Sequence, residues 1–173
     1  MTASFVLNRR VFMAGVPAVA TLVLVGCGSA PERGPSERAS TPNSASPMTL
    51  EPITVYRDPS CGCCEAWARA AQDAGFRTTV VDRSDMPTVK RRYGVPEELS
   101  SCHTSLVDGY VIEGHVPLAE VRRLLTTRPE GVKGIGVPGM PLGSPGMEVP
   151  DGRIEPFVVM AFDAAGRVTR FQL

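Results

Sequence analysis

The stretch Cys61-Gly62-Cys63-Cys64 constrains this chain more than any other, because it gathers three of the five cysteines within four residues. The β-branched and aromatic run Ile53 to Tyr56 leads into it and predicts a strand. Glu65 to Ala74 (EAWARAAQDA) predicts a helix after it, with Trp67, Ala70, Ala71 and Ala74 at helical spacing and Gly75 as its stop. A strand-to-helix turn rich in thiols is a chemical site more often than a packing site. Cys61 and Cys64 form a C-x-x-C pair, the spacing of a thiol–disulfide oxidoreductase. Cys63 is an extra sulfur where such a pair needs none.

With 173 residues the chain has room for one domain plus extras. Eighteen basic and eighteen acidic residues balance, which argues against a nucleic-acid partner. Residues 1–26 read as an export signal, with Arg9-Arg10 ahead of the apolar run Val11 to Val25 and no second apolar span after it. Asn8-Arg9-Arg10-Val11-Phe12-Met13 resembles a twin-arginine signal, although Arg-Arg pairs also occur in ordinary signals. Leu24-Val25-Gly26-Cys27 resembles a bacterial lipobox, in which the cysteine is lipidated and becomes the first residue of the mature chain. The acyl chains would anchor it stably to a membrane, at about 0.8 kcal/mol per buried CH₂. Loss of Arg9 and Arg10 then leaves 16 basic against 18 acidic residues. Residues 27–49, rich in Pro, Ser, Ala and Gly, read as a flexible tether, and residues 50–173 as the folded domain, in the periplasm or on the outer face of the membrane.

Phe76 to Val81 predicts the strand that completes a β-α-β unit, and such crossovers pair in parallel. Asp85 is placed to cap a short helix over Met86 to Arg92. Ser105-Leu106-Val107 and Tyr110 to Glu113 flank Asp108-Gly109 and predict a hairpin. Leu118 to Thr127 predicts a helix with Leu118, Val121, Leu124 and Leu125 as its apolar stripe. Gly131 to Pro150 shows no periodicity and reads as a long Gly/Pro/Met loop, and Phe157–Phe162 with Arg167–Phe171 as a C-terminal hairpin. The fold class is α/β. The order β-α-β-α-β-β-α is a thioredoxin-like layout with a mixed sheet and flanking helices. In that layout the loop before the third strand, here carrying Cys102 and His103, lies against the first thiol turn.

Several motifs together resemble the CopG-like family, catalogued as a domain of unknown function and as predicted metal-binding. They are Cys61-Gly62-Cys63-Cys64, Ser101-Cys102-His103-Thr104, Gly109 to Pro117, and Pro138-Gly139-Met140-Pro141 through Gly146-Met147-Glu148. The resemblance covers about residues 52 to 149. It implies a thioredoxin-like fold, export to the periplasm and a link with copper resistance. Carried over residue by residue, it makes Cys61, Cys63, Cys64 and Cys102 copper ligands. Family members often carry a His-Leu pair in the first helix, where this chain has Ala70-Ala71.

Two chemistries compete. Thiolates are soft and select Cu(I), and a C-x-C-C cluster packs its sulfurs so tightly that bridging between two or more ions is expected. Zinc is the alternative metal, although its usual second C-x₂-C pair is missing. The competing reading is a thiol–disulfide oxidoreductase with Cys61 as nucleophile and Cys64 as resolving thiol, helped by the effect of a helix N-terminus on thiol acidity. His103 and His115 are the two histidines, and each is a possible ligand or supporting group. His103 is the stronger candidate because it adjoins Cys102, whereas His115 reads first as structural. Met140 and Met147 could extend the site with thioethers or simply pack the loop down. Copper ions, a membrane reached through Cys27 and other periplasmic copper-handling proteins are the expected partners.

Overall fold

A computed structural model describes residues 50–172 of the protein. The export signal, Cys27 and the tether lie outside the described residues.

Strand β1 (Leu50–Arg57) and strand β2 (Phe76–Asp82) pair in parallel and are joined by helix α1 (Gly62–Asp73). Helix α2 (Met86–Tyr93) follows; its N-cap Asp85 accepts from the Thr88 N–H at 3.2 Å. After one 3-10 turn at Glu97–Leu99, strands β3 (His103–Val107) and β4 (Tyr110–Glu113) form the hairpin around Asp108-Gly109. Helix α3 (Leu118–Thr127) leads to strands β5 (Gly134–Gly136), β6 (Met160–Phe162) and β7 (Val168–Arg170). The seven strands form one mixed sheet in the order β2-β1-β3-β4-β5-β6-β7. The expected order β-α-β-α-β-β-α is present, with β3 antiparallel to both β1 and β4.

Period-two alternation divides the sheet between two cores. Ile53 and Val55 of β1, Val107 of β3 and Ile112 of β4 are buried with Trp67 and Ala71 of α1 and Val121 and Leu124 of α3. A smaller cluster of Leu99, Val111 and Phe162 gathers Tyr93, Val95 and Leu106. Tyr56 stacks on Tyr93 of α2 at 5.5 Å between ring centroids.

Helix α1 and strand β5 differ most from the sequence expectation, and the strands of the terminal hairpin are shorter than read, at Met160–Phe162 and Val168–Arg170. Helix α1 starts at Gly62 rather than Glu65, so Cys63 and Cys64 lie inside its first turn, behind the extended N-cap Cys61. No Ser, Thr, Asp or Asn stands at that N-cap to announce the start. Strand β5 lies within the stretch read as loop. Two of its three residues are glycines, which hide a strand from propensity. Gly134 is required there, since a Cβ would sit 2.3 Å from the Val111 carbonyl oxygen and 2.6 Å from the Phe162 ring. The sequence left open how the C-terminal hairpin is placed; through β5 it extends the main sheet.

Candidate metal centre

The site is built where β1 ends and β3 begins. Antiparallel register sets Arg57, the last residue of β1, opposite His103, the first of β3. The thiol turn just past Arg57 and Cys102 just before His103 therefore emerge at the same edge. Asp58 shapes the turn: its carbonyl accepts the Cys61 N–H at 3.0 Å and its carboxylate the Ser60 N–H at 2.9 Å. The Arg57 guanidinium donates to the Pro59 and Cys61 carbonyls at 3.3 and 3.2 Å, which pins the turn from beneath.

Cys61 and Cys64 are joined as a disulfide, with their Cα atoms 5.4 Å apart. Cys63 and Cys102 are free thiols, each partly exposed. The sulfurs form a chain: Cys63 lies 3.5 Å from Cys61 and 3.9 Å from Cys102. Cys102 then faces nitrogen, with His115 Nε2 at 3.0 Å and His103 Nδ1 at 3.3 Å. Among the described residues two groups could hold a metal ion: Cys61, Cys63, Cys64 and Cys102, and Cys102, His103 and His115. Within each, the ligand atoms all lie within 4.8 Å of one another, and Cys102 is common to both.

The His115 ring is oriented by its other nitrogen. Nδ1–H donates to the Pro145 carbonyl at 2.8 Å, which leaves Nε2 as a lone pair directed at Cys102. His103 is fully buried between Trp67 and His115, with ring centroids 4.9 and 5.0 Å away, and its Nε2 has no partner among the described residues. Burial holds both imidazoles below the usual histidine range, so they are neutral bases suited to coordination. Burial, reinforced by neighbouring Cys63, pushes the Cys102 thiol up to about 12. A thiol so reluctant to ionise in the protein alone gives up its proton when a cation is at hand.

The structure brings Cys61, Cys63, Cys64, Cys102, His103 and His115 together. The long loop meets the site through Pro145 and Gly146, whose backbone rests on Cys63 and Trp67. Met140 is 51% exposed, next to Gly139, whose carbonyl accepts from Ser101 Oγ, and Met147 is partly buried. Ala70 and Ala71 stand on α1 without a donor atom.

The comparisons with known proteins agree with this geometry. A solved structure described as "Copper resistance protein copG- Form 2" is 40% identical, with a TM-score of 0.66, over 70% of this chain and 95% of that one. The chain belongs to the CopG family. "Copper resistance protein copG- Form 1" is likewise 40% identical, over 70% of this chain and 94% of that one, with a TM-score of 0.65. Residues 99–147 match a family described as "Protein of unknown function, DUF411". That span includes Cys102, both histidines, Met140 and Met147. No curated protein matches the chain.

Sequence reasoning ranked His115 as structural and overlooked Pro145 and Glu113. The Pro145 carbonyl lies 30 positions from His115, and no local pattern joins them. Glu113 did carry a signal: it is a charged residue closing an otherwise apolar strand.

Proposed function

We propose that this chain binds copper as Cu(I) through the sulfurs of Cys61, Cys63, Cys64 and Cys102, in the service of copper resistance or homeostasis. One observation carries the reading: the Cys102 sulfur stands 3.9 Å from that of Cys63, although 39 positions separate them in sequence. A C-x-x-C redox pair requires neither. Soft thiolates select Cu(I), and the similar solved structures are described as copper resistance proteins. Three sulfurs from one turn wrap a single tetrahedral ion poorly, so bridging thiolates and more than one Cu(I) are expected. Zinc is the alternative cargo, favoured by four thiolates and disfavoured by their spacing.

Loading of all four sulfurs requires an external dithiol to give two electrons and two protons to the Cys61–Cys64 disulfide, itself becoming a disulfide, which frees two more thiols beside Cys63 and Cys102. His115 Nε2 and His103 Nδ1 add nitrogen donors on the Cys102 side. The sequence of residues 1–27 supports export, lipidation at Cys27 and a periplasmic or outer-face location. Copper-handling proteins of that compartment are then the natural exchange partners.

The disulfide at the start of α1 favours a second reading, a thiol–disulfide oxidoreductase with Cys61 attacking and the buried Cys64 resolving. Anaerobic titration of the reduced protein with Cu(I) and with Zn(II) separates the two. The copper reading expects more than one tightly held Cu(I) per chain. Fewer than one, with disulfide-exchange activity intact, refutes it. Cys63→Ser sharpens the comparison: a thiolate cluster loses copper, whereas a C-x-x-C enzyme keeps its exchange rate.

A further inference from the structure

A buried charge pair lies beneath the Cys102 loop, outside both ligand sets. Glu113, the last residue of β4, is fully buried. Three donors converge on its carboxylate. Lys90 Nζ of α2 and the Ser101 N–H reach Oε1, the latter at 2.7 Å, and the Thr104 hydroxyl reaches Oε2 at 2.7 Å. Lys90 also donates to Thr104 Oγ1 at 3.2 Å, so the hydroxyl accepts from the ammonium and donates its own hydrogen bond to the carboxylate. Ser101 and Thr104 flank Cys102 and His103 directly. One carboxylate therefore grips the chain on both sides of the Cys-His pair, and β4, which Glu113 ends, leads two residues on to His115.

A buried ion pair is a weak device for stability, because apolar residues of the same volume stabilise a core as well or better. Its value here is geometric. Charge-assisted bonds are roughly twice as strong as neutral ones and fix direction as well as distance. We propose that Glu113 and Lys90 are positioning residues for the metal centre: by holding Ser101 and Thr104 they hold the Cys102 sulfur against Cys63 and the His115 ring, and so set the affinity for Cu(I). The proposal rests on the Cu(I) reading above. The Cys102 arm comes from a different strand than the thiol turn, so a slack arm must be ordered at the moment of binding, and affinity falls accordingly.

The test uses the reduced protein and a chromophoric Cu(I) chelator as competitor, with the sulfur-to-copper charge-transfer band recorded alongside. The variants are Glu113→Gln, Lys90→Met and Lys90→Arg. Glu113→Gln and Lys90→Met should weaken Cu(I) binding at least about tenfold, the scale seen when groups supporting metal ligands are removed. That is about 1.4 kcal/mol. Both should also shift the charge-transfer band. Lys90→Arg keeps the charge and should restore affinity and spectrum to near the wild-type values. Folded Glu113→Gln or Lys90→Met with wild-type affinity and an unchanged band overturns the proposal, even if its denaturation midpoint falls. If Glu113→Gln does not fold, the contrast between Lys90→Met and Lys90→Arg decides alone. Failure of the wild type to bind Cu(I) refutes the Cu(I) reading instead, and this proposal with it.

Discussion

The contact between the long loop and the thiol helix can be broken at one atom. Gly146 has φ +82°, and a Cβ placed there would lie 2.7 Å from the Trp67 nitrogen, 2.8 Å from the Cys63 carbonyl oxygen and 3.1 Å from the Trp67 Cα. All three are backbone atoms of α1, so no side chain can swing aside. Gly146→Ala therefore carries two costs. Holding an L-residue in the left-handed region costs about 1–2 kcal/mol, and overpacking against fixed atoms adds about 1–3 kcal/mol. Gly152→Ala is the control, since Gly152 has φ +69° and a Cβ there would meet nothing within 4 Å. It should show the first cost alone. Urea unfolding followed by the fluorescence of Trp67, the one tryptophan, measures both. At an m-value of about 1–3 kcal/mol/M, Gly146→Ala should lower the midpoint by roughly 1 M more than Gly152→Ala. Pro145 moves with Gly146, so the His115 Nδ1 bond to its carbonyl should loosen as well. A Gly146→Ala protein no less stable than Gly152→Ala would refute the claim that the loop is seated on the first turn of α1.

The alkaline limb of stability should report on Cys102. Its thiol is pushed from an ordinary 9.0 to about 12, chiefly by burial. Between those values the unfolded chain has lost a proton that the folded chain still holds, so stability falls as pH rises from about 9 towards 12. Denaturation of wild type and Cys102→Ser across that range should show a steeper fall for the wild type, and parallel curves would contradict the burial of this thiol. Reduction of Cys61–Cys64, which closes only a short loop, should cost about 2 kcal/mol on chain-entropy grounds. Far-ultraviolet circular dichroism of the reduced protein should therefore remain native, and unfolding on reduction would show that the disulfide holds the domain together.

The elements legible in the sequence are those whose signals are local. Asp108-Gly109 announced its hairpin, Asp85 its helix, and the Leu118–Thr127 stripe its buried face, with Val121 and Leu124 fully inside. The nearness of Cys102 to the thiol turn was also legible, because element order alone puts the start of the third strand beside the end of the first. What escaped depends on long-range packing. In strand β5, Val111 and Phe162 crowd Gly134 so closely that no side chain fits, and crowding leaves no periodic trace. The orientation of His115 is set by a carbonyl 30 positions away. The N-cap of α1 is a cysteine held by Arg57 rather than by its own side chain.

The cost of assembling this edge bears on the choice between the two chemistries. An oxidoreductase needs one accessible sulfur, one resolving thiol and a helix end, and the partly exposed Cys61, the buried Cys64 and α1 provide these by themselves. The remaining features serve no step of that exchange. They include a buried carboxylate under Cys102, a histidine fixed through Pro145, and a second histidine buried with one nitrogen unpartnered. A buried polar group is unfavourable unless it is hydrogen-bonded, and of these three only His103 has a ring nitrogen without a partner among the described residues. A soft cation shared between the two ligand groups would use His115 Nε2 and His103 Nδ1 directly and the carboxylate only through the Cys102 loop it holds, because Cys102 belongs to both groups and a thiolate can bridge. On this argument the disulfide and the metal are alternative occupants of the same sulfurs. Oxidised protein should then hold fewer Cu(I) ions than reduced protein, since only Cys63, Cys102 and the two histidines remain available until Cys61–Cys64 is opened.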